Sequence, residues 1–248
     1  MDLGINGKLA IVAAGTAGLG LASAKSLAAN GAMVAICGRD PERLASAVME
    51  VGHGCIGIRH DVSNQTQARE FVEEAIAKLG GVDILITNGG GPPPGNALET
   101  PIEMYSAALE LSLLSVISMC QTALPYMRET GWGRIVAITS ISVRQPIPAI
   151  ALSNTARAGV TGYLKSLAGD VAPLGITVNT VQPGVHATGR IKQLYGTSLE
   201  VMANTIPVGF IGDPGDFGEA VAFLASHQAR FITGASLNID GGQFAGLQ

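Results

Sequence analysis

The sequence predicts an α/β protein: a three-layer sandwich around a seven-stranded, doubly wound parallel sheet. Two observations carry that expectation. Seven short apolar runs alternate with segments of helical length, and connections that long require crossovers, so the strands pair in parallel with right-handed connections. Charged residues are only 14% of the chain while glycine reaches 33 residues, a balance suited to strands buried on both faces and punctuated by tight turns.

The elements follow in order. The first run, Leu9–Ala13, leads through a glycine-rich turn into a helical stretch near residues 18–30. Met33–Cys37 is the second, followed by Asp40-Pro41-Glu42, a helix start with proline in the first turn. Cys55–Arg59 is the third, after which Asp61-Val62-Ser63-Asn64 opens a helix over 64–79. Val82–Ile86, Arg134–Ile138, Ile176–Asn179 and Ser236–Ile239 complete the set, with long helices near 101–128 and 151–173. The biased segment Gly89-Gly90-Gly91-Pro92-Pro93-Pro94-Gly95 follows the fourth run, at the edge where ligands of such sheets bind.

Composition bounds the function. No Ser-, Pro- or charge-rich linker divides the 248 residues, so one domain over 1–248 is expected. A net charge of −4 with scattered Lys and Arg argues against nucleic acid, because phosphate tracking needs basic clusters. Cys37, Cys55 and Cys120 lack metal-ligand spacing and are read as buried free thiols, with no metal expected. The N-terminus lacks the pattern of a signal peptide, and no uninterrupted apolar stretch of membrane-spanning length is expected, so the reading is cytoplasmic.

The turn after the first run, Ala13-Ala14-Gly15-Thr16-Ala17-Gly18-Leu19-Gly20, is a candidate phosphate cradle. Glycine there lets the backbone approach a pyrophosphate, whose charge rests on the helix N-terminus. Gly15, Thr16, Gly18, Leu19 and Gly20 are the candidate contacts, and the architecture they imply is Rossmann-like. Arg39, just past the second run, is placed to meet the 2′-phosphate of NADP(H), which is favoured over NAD(H).

Together these residues resemble the short-chain dehydrogenase/reductase family over nearly the whole chain. Ala13 to Gly20 aligns with that family's T-G-x-x-x-G-x-G, with Ala13 and Ala14 in place of its first two residues. Asp61-Val62 resembles its adenine-contacting pair, Thr87-Asn88-Gly89-Gly90 its N-N-A-G, and Pro183-Gly184 with Thr188 its nicotinamide-holding P-G-x-x-x-T. Ile232-Thr233-Gly234 and Asp240-Gly241-Gly242 resemble its C-terminal strand flanks. The resemblance therefore implies that Asp61, Val62, Asn88, Gly89, Pro183, Gly184 and Thr188 touch a nicotinamide dinucleotide. It also implies subunit pairing through the two long helices, giving a homotetramer or homodimer.

The catalytic positions depart from the family. Its Asn, Ser, Tyr and Lys correspond to Ser112, Ser140, Ser153 and Arg157, so only the serine at 140 is retained. A phenol with reference pKa near ~10 is tunable toward neutrality as a proton donor, whereas an aliphatic hydroxyl is a poorer, shorter acid. Arg157, one helical turn beyond Ser153, holds a fixed charge and a fork of donors suited to ribose hydroxyls or a developing oxyanion. His186 is the expected substitute acid, with Tyr195 a weaker one. Arg144, Arg190 and Lys192 are the cations that would meet an anionic substrate, each with surface solvation as its default reading. His53, His60 and Trp132 read as structural, and the segment 185–207 as a substrate lid. The expected function is hydride transfer from NADPH to a carbonyl, conjugated C=C or C=N group of a small molecule. A non-redox lyase or cyclase, or a non-catalytic cofactor-binding protein, is the alternative on the same fold.

Overall fold

In a computed structural model, which describes residues 2–189, 191 and 199–247, seven strands form one all-parallel sheet in the order β3-β2-β1-β4-β5-β6-β7. The strands are β1 (Leu9–Val12), β2 (Met33–Gly38), β3 (Ile56–Arg59), β4 (Ile84–Thr87), β5 (Gly133–Ile138), β6 (Ile176–Pro183) and β7 (Ser236–Ile239). All seven expected runs are strands, the sixth longer than read because Thr180–Pro183 continues it along β7. The chain reverses direction across the sheet between β1 and β4. That reversal opens a crevice at the strands' C-terminal ends.

Apolar residues alternating along the strands fill two cores. Ile11, Leu85, Ile135 and Val178 face one side, with Phe71, Met119 and Leu164 from the helices α3 (Gln65–Leu79), α5 (Ser115–Thr130) and α6 (Ala151–Val171). Ala10, Ile84, Val136 and Val181 face the other. Leu27 of α1 (Gly18–Ala29), Leu44 of α2 (Pro41–Val51) and Phe217 of α8 (Pro214–Leu224) cover them there. Two shorter helices complete the set, α4 (Ile102–Leu109) and α7 (Leu199–Ala203).

Side chains start three of these helices. Asp40, Asn64 and Asp213 accept from the amides of Arg43, Gln67 and Gly215 at the openings of α2, α3 and α8. Helix α1, like α4, α5 and α6, has no side-chain cap; its N-cap is Ala17 and its first turn carries no acid.

Helix α4, a π-helical turn (Glu110–Leu114) and α5 run as one continuous rod over Ile102–Thr130, whose mean hydropathy of 1.5 and 29 residues satisfy the length and composition of a membrane span. The expectation that no segment reaches that length is corrected. One side of the rod packs into the core: Ala108, Ser115, Met119, Cys120, Ala123 and Met127 are buried along it, with α3 packed against it. Pro125 sits on its exposed side.

The three cysteines are free and buried, as read. Burial pushes the Cys37 and Cys120 thiols up to about 12. Trp132 packs, also as read, with Lys8 Nζ 4.0 Å and the Arg134 guanidinium 4.3 Å from its ring. The imidazole of His60 lies 3.1 Å from Glu74. His53 takes a positive φ of 49° in the turn between α2 and β3.

Candidate active site

The phosphate turn is built by close approach. A Cβ on Gly20 would stand 2.6 Å from both the Ala14 carbonyl oxygen and Asn88 Nδ2, so only glycine lets α1 begin there. Asn88, at the end of β4, donates to that same carbonyl at 3.3 Å, tying the turn to the adjacent strand. Beneath it, Ala14 N–H donates to Cys37 Sγ at 3.2 Å and Gly15 N–H to the Cys37 carbonyl at 3.1 Å. Thr16 packs directly on Gly38, and a Cβ on Gly15 would strike Ile36. Leu19 anchors the first turn of α1 on the core.

Chain segments distant in sequence converge on this turn. The methyl of Thr188 lies 3.3 Å from where a Cβ on Gly18 would stand, so the segment following β6 closes over the start of α1. Gly184 approaches Asp240 too closely to carry a side chain, and Val185 N–H donates to Gln243 Oε1 at 2.9 Å. Arg39 reaches across the crevice mouth to Asp61 at 3.7 Å, mostly exposed, while Asp61 accepts from Ser63 N–H. Val62 turns its side chain into the core, leaving its main chain to face the crevice. Gly89 abuts the Leu111 carbonyl, whose oxygen would be 3.7 Å from an added Cβ.

These residues fit a dinucleotide. The α1 N-terminus presents amides with no competing side-chain cap, and glycine opens the space that a pyrophosphate needs. Gly15 to Gly20 would hold the phosphates, Arg39 and Asp61 the adenosine end, and Asn88, Gly89, Pro183, Gly184 and Thr188 the nicotinamide end.

At the end of β5, Ser140 accepts from Ser142 N–H at 3.1 Å, so its own hydroxyl proton remains for a ligand. Arg157 donates through Nη1 to the carbonyls of Ile138 at 3.0 Å and Thr139 at 3.1 Å, immediately before Ser140. Its backbone lies on α6 one turn after the half-buried Ser153. Ser112 falls within the π-helical turn and is buried, its Oγ without a protein partner among the described residues. Arg157, Ser112, Asn88 and Gly89 line one small cavity with Thr87 and Thr139. Ser140 stands directly after its lining residues Ile138 and Thr139.

His186 requires correction. It is 4% exposed, edge-on to Phe217 at 5.2 Å, and pressed against Gly212, whose added Cβ would meet the imidazole at 2.8 Å. Burial pushes its pKa down. The Gly184 carbonyl and the carboxylates of Asp213, Asp216 and Asp240 oppose that shift without overcoming it. A histidine sealed into packing is not a proton donor to the crevice.

The expected lid is also narrower than 185–207. Its start is pinned by Ala187 N–H to the Gly212 carbonyl and Gly212 N–H to that of Val185; near its end, Ile206 is buried and Val208 N–H binds the Gly241 carbonyl. Arg190, Lys192 and Tyr195 lie outside the described residues. Arg144 is exposed; it donates to the Ser236 carbonyl at 3.4 Å, with its guanidinium 5.9 Å from the Phe244 ring.

The reading of residues missed Thr87 as a site group, quoting it only inside a motif. The available signal was alternation: Thr87 follows Leu85 by two, and so points to the side where α5 and α6 pack.

Comparison with known proteins agrees with this geometry. Residues 13–243 match the family model described as enoyl-(acyl carrier protein) reductase. The chain is 33% identical over 242 residues to a 3-oxoacyl-(acyl-carrier-protein) reductase of Vibrio cholerae, covering 98% of this chain and 99% of that one. It is 33% identical to an L-rhamnose 1-dehydrogenase (NAD(P)(+)) of Azotobacter vinelandii over 251 residues, covering 97% and 98%. The solved structure of L-sorbose reductase from Gluconobacter frateurii, complexed with NADPH and L-sorbose, superposes with a TM-score of 0.94 at 27% identity, covering both chains completely. The chain belongs to the short-chain dehydrogenase/reductase family of oxidoreductases.

Proposed function

We propose that the protein is an NADP(H)-dependent oxidoreductase whose acceptor is a small molecule bearing a carbonyl, conjugated C=C or C=N group, with an oxyanion-holding site in place of the family's phenol. The observation that carries this reading is the clamp of Arg157 on the carbonyls of Ile138 and Thr139, beside Ser140. It fixes a permanent cation at the crevice edge without needing a proton to leave it.

The bound cofactor would supply the hydride. The chain's part is to orient the acceptor and meet the negative charge that develops on it. Ser140, its oxygen already engaged by Ser142 N–H, would donate a hydrogen bond to the acceptor oxygen, and water would supply the proton that completes the product. Arg157 lowers the energy of the developing anion through a fixed field that needs no reorganisation. Ser153 adds a second short donor from the first turn of α6. An enone spreads its charge as an enolate, which Ser140 and Arg157 would hold, and it needs a side-chain acid less than a simple ketone does. An iminium becomes neutral on receiving hydride and needs no acid, but as a cation it gains nothing from Arg157.

Preference for the phosphorylated cofactor is supported by Arg39, which ends β2 with its guanidinium exposed toward the mouth. The L-sorbose reductase structure was solved with NADPH, and the rhamnose dehydrogenase name allows either cofactor. Subunit pairing through α5 and α6 is supported by an open stripe on α6, where Cβ atoms on Gly162 and Gly169 would meet nothing within 4 Å. We expect a homodimer or homotetramer in the cytoplasm.

The test follows nicotinamide absorbance with NADPH against a panel of ketones, enones and iminium ions. The expected outcome is turnover of enones well above that of simple ketones and of iminium ions. Fast reduction of simple ketones, or product formation without any absorbance change, would overturn the reading. Sedimentation showing a monomer would remove the subunit pairing.

A further inference from the structure

We propose that one internal water molecule, held by the hydroxyls of Thr87 and Ser112, positions Arg157, making Thr87 a positioning residue of the site. The inference deepens the reading of Arg157 as the site's cation, and its structural half stands independently of that reading.

Three features point to it. Thr87 is 1% exposed and Ser112 6% exposed, and the Oγ of each lacks a protein hydrogen-bond partner among the described residues. A buried hydroxyl left unpaired is destabilising, so two that line one space call for a shared partner. Both line a cavity of about 10 Å³ whose wall includes Arg157 and Asn88. That volume accommodates one water molecule, and the lining offers the two to four polar partners such a water requires.

The backbone explains why the two hydroxyls meet. Alternation along β4 sends Thr87 to the side of Leu85, toward α5 and α6. The π-helical turn lets Ser115 N–H reach back to the Glu110 carbonyl while the Ser115 hydroxyl takes the Leu111 carbonyl at 2.7 Å. The extra residue in that turn rotates Ser112 onto the buried side of an otherwise half-exposed helix. A larger side chain at position 112 would fill the space. The small hydroxyl there, and the larger guanidinium at 157, are read together as a matched pair with a water between them.

A water in this place accepts from the guanidinium and donates to one hydroxyl while accepting from the other. It thereby keeps the plane of Arg157 turned toward the Ile138 and Thr139 carbonyls, and its charge directed at the acceptor.

The experiment is a crystal structure of the full chain, with NADPH added, at a resolution that places waters, for the parent, Thr87→Val, Thr87→Ser and Ser112→Ala. Steady-state kinetics and melting accompany it. The parent is expected to show a water within hydrogen-bond distance of Thr87 Oγ1 and Ser112 Oγ. In Thr87→Val, whose shape is unchanged, the water is lost and the Arg157 guanidinium rotates. kcat then falls about tenfold, with KM for NADPH and the melting temperature held. Thr87→Ser is expected to restore both the water and kcat, a rescue that a purely space-filling role would not give. Ser112→Ala is expected to loosen the water with Thr87 intact. A parent cavity without water, or an Arg157 unmoved when Thr87→Val empties it, overturns the proposal whatever the activity. Should every substrate fail while the water and its dependence on Thr87 stand, the reading of function falls and the positioning site remains.

Discussion

Ala14 sits at φ 47° where its family keeps glycine, one of three non-glycine residues in this conformation among those described. A side chain there costs about 1–3 kcal/mol of backbone strain, more than the entropy a glycine would lose on folding. Ala14→Gly is therefore expected to stabilise the protein by about 1 kcal/mol, raising Tm by about 3 °C in a thermal melt. A lower Tm would mean that the turn has relaxed around the methyl. Ser153 and Arg157 separate in the same spirit. The Ser153 hydroxyl has no hydrogen-bond partner among the described residues, so Ser153→Ala should reduce kcat/KM about tenfold with an unchanged melt. Arg157→Ala strips a charge-assisted donor from two carbonyls. Besides a loss of about a hundredfold or more in kcat/KM, it should cost about 1–3 kcal/mol of stability. Equal kinetics for parent and both variants would remove the donor cluster.

At the scale of elements, the open end of α1 is the clearest functional statement. No side chain competes for the first amides of α1, and the close approach of Gly20 to the Ala14 carbonyl leaves the turn before them open, as an anion would require. Gly20→Val would drive a branched side chain into the Ala14 carbonyl and Asn88. It is expected to abolish NADPH binding in calorimetry while the sheet's circular dichroism persists; retained affinity would contradict the cradle. The cap at Asp40 offers the contrasting case, because it serves only α2. Asp40→Ala should lower stability by about 1 kcal/mol and leave cofactor affinity as it was.

At the scale of the molecule, His186 links pH to folding. Its folded pKa lies below the ordinary 6.5 because burial disfavours the charged ring, so above that range both folded and unfolded states hold it neutral. As pH falls through the ordinary imidazole range, the unfolded chain binds a proton that the folded chain resists. Stability is therefore full above that range and declines below it. Melts of the parent should show this fall, and His186→Gln should flatten it, with Asp213, Asp216 and Asp240 unchanged as facing carboxylates. A parent Tm that rises on acidification across this range would refute the assignment of His186 to packing.

Much of this was legible in the residues. Short apolar runs, helix-length spacers and capping residues such as Asp40-Pro41 express local rules, in which period and steric preference act within a few positions. They specified seven strands in the right places and the glycine-rich turn after β1. Position in space is a different matter, because it depends on packing between segments far apart in the chain. His186 reads as a mobile loop acid until Phe217 and Gly212, reached through a parallel bridge, are seen to enclose it. Thr87 and Ser112 are unremarkable hydroxyls in one dimension, 25 positions apart, and become partners only when β4 and the π-helical turn close one cavity. By itself the sequence determined the architecture and the chemical types available, since those follow from local stereochemistry. Only the tertiary structure decided which groups meet, since burial and contact are properties of the folded whole.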